Sequence, residues 1–235
     1  MFAVFRKKSI LAVVCILFAA SAGFFAFYGV KSAAAAAKER IVVIDAGHGG
    51  ADGGVSGIKT KVKESDLNLK YAYLLKAALE KQGCKVVLTR PTEAGLYQTA
   101  SSFEETRKSQ DMQKRKEIIL ATEPDCVVSI HMNYFTQNSV RGAQVFYNAA
   151  NPESKRLAQA LQNKMNGLNA VYVNRQLSPL PKDYYLVQCT AFPSCIVECG
   201  FLSNAEDEKL LLDPKYQKEL IHELAMGVIA FLGTS

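Results

Sequence analysis

Several things this sequence lacks narrow its chemistry first. There is no repeating cysteine spacing: Cys15, Cys84, Cys126, Cys189, Cys195 and Cys199 mostly fall inside apolar runs. That pattern reads as small buried hydrophobes and excludes a zinc ribbon or a disulfide-stapled mini-domain, with a bridge between two of the last three cysteines as the alternative. Charge of one sign is also scarce in the body of the chain. The formal net charge is +6, but four of the 28 basic residues (Arg6, Lys7, Lys8, Lys31) lie before residue 32 with none of the 22 acidic ones, leaving 24 against 22 beyond. The basic run from Arg107 to Lys116 carries no interleaved aromatics and reads as a solvated helix face, which sets nucleic acid aside as a partner. Histidine is rarer still, with three in 235 residues. His222 falls in an amphipathic C-terminal helix and reads as a surface or packing residue, so a two-histidine site would draw on His48 and His131.

What is present begins with a basic start and an uncharged apolar run from Ser9 to Val30, closed by Lys31 and an alanine tract. Residues 1–31 read as a signal peptide or an N-terminal membrane anchor, 32–40 as a linker and 41–233 as one catalytic domain. The positive-inside bias places everything after Ser32 on the wall side of the cytoplasmic membrane. Cys15 is a poor lipid-attachment site, because Val14 precedes it where a small residue is wanted.

The stretch Ile41 to Gly57 organises the rest. Four β-favouring residues run into a glycine-rich loop around His48, so an imidazole stands at the mouth of a buried strand with backbone free to approach it. Ser65 is placed to cap a helix whose apolar face is Leu67, Tyr71, Leu74, Leu75 and Ala78, with Glu64 just ahead of its N-terminus. Cys84 to Thr89 reads as a strand, Leu96 to Thr106 as a surface loop, and Asp111 to Thr122 as a helix stopped before Pro124. The strand Asp125 to Ile130 delivers His131 and Asn133, and Gly142 to Tyr147 gives another strand. A capped helix then starts at Asn151-Pro152, and residues 169–183 are turn-rich. Ser194 to Phe201 is a buried strand in which the period of two faces Glu198 away from Cys195, Val197 and Cys199. A last helix begins at Asp213-Pro214. Alternating strands and helices predict a single α/β domain with a twisted, mainly parallel sheet, and in such sheets sites gather at the carboxyl ends of strands.

Two imidazoles and one carboxylate form a common catalytic zinc shell that leaves a position open for water. From spacing alone, Glu64 or Glu198 could bind metal while the other moves a proton, and Asp45 or Asp52 could compete as ligand. A Ser or Cys nucleophile is less convincing: Ser129 lies inside a strand, and Cys199 has no histidine of its own.

At these residues the sequence resembles the zinc-dependent N-acetylmuramoyl-L-alanine amidases of bacterial cell-wall metabolism. The resemblance is carried by Asp45-Ala46-Gly47-His48-Gly49-Gly50, Lys63-Glu64-Ser65, Leu88-Thr89-Arg90, Ser129-Ile130-His131-Met132-Asn133, and Val197-Glu198-Cys199-Gly200-Phe201-Leu202-Ser203-Asn204. It implies a mixed sheet of about six strands flanked by helices, Zn2+ held by His48, Glu64 and His131, and Glu198 as general base and then general acid. The bond cleaved would join the lactyl group of muramic acid to L-alanine of the stem peptide. Arg90, Arg115 and Asn133 match recurring family positions as candidate substrate-binding residues, with loop anchoring the preferred alternative. Tyr134 stands where many members have a small residue, and Cys199 where Thr or Val is common.

Length and layout resemble the sporulation- and germination-specific, CwlD-like type. That implies action on peptidoglycan of the spore cortex, on the way to the muramic-δ-lactam recognised at germination, in the forespore intermembrane space. No wall-binding repeats follow the domain, and residues 169–183 leave no room for an occluding helix. A regulatory or targeting partner protein is therefore a further expectation. Two rivals are a zinc peptidase acting on wall peptides and a catalytically silent wall-binding scaffold.

Overall fold

In the computed structural model, residues 39–97, 104–168, 174–180, 184–189 and 191–233 are described. The apolar run between Ser9 and Val30 lies outside them. No helix among the described residues is long and apolar enough to cross a membrane.

Six strands form one sheet: β1 Ile41–Ala46, β2 Lys85–Leu88, β3 Cys126–Asn133, β4 Gln144–Tyr147, β5 Ser178–Pro179 and β6 Ser194–Phe201. Their order is β2-β1-β3-β6-β4-β5. The neighbours run parallel except β4, which lies antiparallel to β6. The sheet is therefore mixed and mainly parallel, as the strand–helix alternation predicts. Helices α1 Glu64–Lys81, α2 Glu104–Thr122, α3 Pro152–Asn166, α4 Tyr185–Gln188, α5 Ala205–Leu212 and α6 Pro214–Gly233 complete the unit spanning residues 40–235.

The two faces of the sheet do different work because side chains alternate along each strand. On one face Val42, Ile44, Val128, Ile130, Cys195 and Val197 join the large core built with α1, α3 and α6. The opposite face is thinly covered, Val43 and Val127 meeting Ile119 of α2 and Leu186 of α4. Along that second face, Asp45, Ser129, His131 and Glu198 continue the alternation towards the carboxyl ends of β1, β3 and β6. The register sets His131 beside Glu198.

Five elements differ from expectation. Ser65 does not cap α1: the helix starts at Glu64 after Lys63, which makes no side-chain cap. Loop carbonyls take that role, Glu64 N–H donating to Val55 O at 2.8 Å and Ser65 N–H to Gly53 O at 3.1 Å. Helix α2 begins at Glu104 rather than Asp111, because its polar first turns carry no apolar period to read. The short β5, α4 and α5 were missed for want of length; α5 is set by Asn204, whose side chain accepts from Glu206 N–H and Asp207 N–H at 3.0 Å.

Beneath the first loop lies a fully buried ion network. Asp45 accepts from Thr89 Oγ1 at 2.5 Å, Ser129 Oγ at 2.6 Å and Arg115 Nη1 at 2.7 Å, while Arg115 Nε donates to Asp111 at 2.6 Å. Burial alone would raise the Asp45 carboxyl, but Arg115 and the two hydroxyls hold it at about 2. Arg115→Met would strand two carboxylates without their cation. The expected cost is about 3–5 kcal/mol, read as a lowered urea midpoint against Lys114→Met on the exposed face of the same helix.

Candidate metal centre

His48 lies two residues beyond β1, in a loop whose carbonyls are pinned from below. Arg115 donates to Ala46 O and His48 O, both at 2.6 Å. Arg90 donates to Ala46 O at 3.2 Å, Gly47 O at 3.2 Å and Ser65 O at 3.0 Å. Both guanidiniums are fully buried. The pinned turn holds His48 at φ 60°, left-handed backbone that few side chains adopt. Gly47 is required by space: a Cβ there would lie 2.2 Å from the His131 ring.

Glu64 is the meeting point. One carboxylate oxygen, Oε1, lies 3.2 Å from His48 Nε2 and 2.9 Å from His131 Nδ1. The same oxygen accepts from Asn68 Nδ2 and Met132 N–H, both at 3.2 Å, and Oε2 accepts from Val55 N–H at 3.0 Å. His48, Glu64 and His131 each offer a ligand atom, all within 4.8 Å of one another. The donor set of two imidazoles and a carboxylate fits a divalent metal such as zinc.

Of the competing carboxylates, Asp45 is committed to its own network. Asp52 accepts from His48 Nδ1 at 2.9 Å through Oδ2 and from Gly54 N–H at 3.0 Å through Oδ1, the place of an outer partner that fixes a ligand's ring. In the metal-free site, burial disfavours a charged His48. The hydrogen bonds to Asp52 and Glu64 override it and raise the imidazole to about 10. Burial likewise opposes the Glu64 anion, yet the two imidazoles hold it well below the usual carboxylate range.

Glu198 stands beside this cluster in a different state. One of its oxygens, Oε2, is shut off from solvent and has no hydrogen-bond partner. Burial raises its carboxyl to about 7; His131 and His48 pull it down and Glu64 adds to the rise. A carboxyl poised there suits proton transfer near neutrality. These groups share a cleft of about 550 Å³ with Asn133 and three exposed tyrosines, Tyr134, Tyr184 and Tyr185. Asn133 Oδ1 accepts from Tyr134 N–H at 2.7 Å. His222 is exposed on α6.

Asn68 was not singled out from sequence. It is fully buried, and its amide bridges Glu64 Oε1 and Gly47 O, the latter at 3.1 Å. Its signal was a polar side chain one turn after Glu64, among the apolar positions of α1.

Asn68→Leu should loosen Glu64 and weaken zinc binding about 10- to 100-fold, measured by competition with a chromogenic chelator. Glu198→Gln should act on stability with a definite sign. An acid whose folded pKa lies above its unfolded value costs nothing below about pH 4.5, and its cost grows until about pH 7. In chelator-treated protein the variant should match the parent at pH 4 and exceed it at pH 8, by about 1–3 kcal/mol, in urea titrations at the two pH values.

Comparisons with known proteins agree with this geometry. The family model described as N-acetylmuramoyl-L-alanine amidase matches residues 42–230. The germination-specific N-acetylmuramoyl-L-alanine amidase of Bacillus subtilis (strain 168) is 31% identical over 192 residues, covering 82% of this chain and 79% of the relative. Among solved structures, the CwlD amidase from Clostridioides difficile, in complex with the GerS lipoprotein, superposes with a TM-score of 0.80 at 33% identity, covering 84% of this chain and 100% of that one. The catalytic domain of CwlV, an N-acetylmuramoyl-L-alanine amidase from Bacillus (Paenibacillus) polymyxa var. colistinus, gives 0.68 at 26% identity, covering 83% and 99%. The chain belongs to the N-acetylmuramoyl-L-alanine amidase family.

Proposed function

We propose that this amidase uses zinc held by His48, Glu64 and His131 to cleave the amide between the muramic acid lactyl group and L-alanine. The observation that carries the reading is the placement of Glu198: a carboxyl with an unpartnered buried oxygen, one strand away from a three-donor cluster. When bound, zinc would supply a Lewis acid that polarises the amide carbonyl and acidifies water. The remaining steps belong to the chain. Glu198 takes a proton from the attacking water as the new C–O bond forms at the carbonyl carbon. It returns that proton to the departing nitrogen as the C–N bond breaks, so the L-alanine amine leaves neutral. Asp52 keeps the His48 ring oriented, and Arg90 and Arg115 hold the loop that presents it.

The biological setting is proposed on likeness to the germination-specific and CwlD relatives. The substrate would be spore-cortex peptidoglycan, with the stripped muramic acid passing on towards muramic-δ-lactam. Residues 1–31 would export the domain or anchor it on the wall side of the membrane, in the forespore intermembrane space. A regulatory or targeting protein partner is proposed because the C. difficile relative was solved bound to a lipoprotein.

Digestion of cortex-type peptidoglycan by the zinc-supplemented full chain should release intact stem peptides with a new L-alanine amino terminus, identified by mass spectrometry. Glu198→Gln should lower the rate about 10²- to 10⁴-fold while zinc still titrates to one equivalent. Fragments cut between stem residues would instead show a peptidase.

A further inference from the structure

The α2 face that reads from sequence as merely solvated forms one wall of the cleft. Two smaller cavities adjoin the main one, of about 350 and 130 Å³. Lys108 and Met112 line all three. A groove therefore leads from the candidate metal centre across the first turns of α2, with Lys108 at its junction.

The charges along this groove are lopsided. Asp45, Asp52, Glu64 and Glu198 all line the main cleft, and Arg115 below them is buried and committed to Asp45, Asp111 and loop carbonyls. Lys108 is exposed, and among the described residues no hydrogen bond or close ion pair engages its ammonium. Asp52, whose carboxyl it helps to hold down from a distance, already has both oxygens occupied by His48 and Gly54. Tyr134, Tyr184 and Tyr185, between 45% and 47% exposed, also line the main cleft, and Tyr185 borders the smaller cavity beside Lys108. Among the described residues the groove thus offers an exposed ammonium with no hydrogen bond or close ion pair, beside uncharged aromatic rings.

The two halves of a muramyl peptide differ in charge. Once its lactyl carboxyl is in amide linkage the sugar is uncharged, whereas the stem peptide carries carboxylates. An anionic chain entering an acid-lined cleft needs a cation to meet it. We infer that Lys108 binds the free carboxylate of the acidic residue that follows L-alanine in the stem peptide. The assignment rests on the amidase reading. That residue begins about 3.5 Å along the extended chain from the scissile nitrogen and ends about 7 Å from it. Lys108 borders both the reaction cleft, together with His48 and Asp52, and the two cavities that adjoin it.

The test uses two muramyl tripeptides that differ only at the second stem residue, one with a free α-carboxylate and one with the carboxamide. Binding is measured by calorimetry to the zinc-supplemented full chain carrying Glu198→Gln, so that neither ligand is consumed. The carboxylate ligand should bind about five- to tenfold more tightly, and raising salt should shrink the ratio. Adding Lys108→Gln should bring the ratio to about one, and Lys108→Arg should restore it. Equal affinity for the two ligands, no measurable binding of either, or a ratio that survives Lys108→Gln overturns the assignment. Hydrolysis by the chain with Glu198 intact is scored separately: a carboxylate preference without cleavage would overturn the amidase reading and leave this subsite standing.

Discussion

The rest of the site depends on one buried carboxylate. Glu64 is 3% exposed, yet two imidazoles, a side-chain amide and two backbone N–H groups converge on its oxygens. A buried anion is costly unless every lone pair is answered, and here the answers come from the glycine loop, from α1 and from the end of β3. Satisfying Glu64 therefore fixes the glycine loop and the helix that follows it against a strand end 67 residues away. Glycine at 54 follows from the same constraint. Its φ is +64° and a Cβ there would lie 2.4 Å from Glu64 Oε2, so any side chain would push the carboxylate away from the imidazoles.

Around that point the sheet separates stability from chemistry. The strand side chains that join the large core are apolar, and α1, α3 and α6 cover them. Those on the other face change from Val43 to Asp45, from Val127 to Ser129 and His131, and from Ile196 to Glu198 as each strand nears its carboxyl end. The thin cover of α2 and α4 leaves the polar ends reachable. This arrangement needs Arg90 and Arg115 beneath it, because a glycine-rich loop carrying a metal-ligand candidate would otherwise have many conformations to lose on folding.

Much of this was legible from local pattern. The β1 run and its glycine loop, the period of two that turns Glu198 away from Cys195 and Cys199, and the caps at Asn151 all reflect short-range physics that leaves a mark within a few residues. The candidate metal cluster was partly legible, since three histidines leave few choices. The choice between Glu64 and Glu198 was not, because it depends on register between β3 and β6 and on the entry angle of α1. Arg90 and Arg115 carried a family pattern without a role; burial and the carbonyls they hold are long-range facts. Ser65 misled because a cap motif says nothing of loop carbonyls that can do the same work. The polar start of α2 hid both the helix and the wall it makes, since amphipathic periodicity detects only the side that faces a core.

Where the fold leaves hydrogen bonding incomplete is itself informative. Among the described residues, two buried side-chain oxygens have no partner, Asn68 Oδ1 and Glu198 Oε2. Neither lies in the apolar interior: Asn68 donates to Glu64, and Glu198 pairs in register with His131. Elsewhere, groups as demanding as Asp45, Asp207 and Glu208 are answered by two or more donors each. A sequence able to satisfy those carboxylates was under no general constraint to leave Glu198 unmet. Burial with that oxygen unmet raises the carboxyl to about 7, as the proposed transfer of a proton from water to a leaving amine requires, whereas hydrogen bonds to its charged form would favour the ionised state.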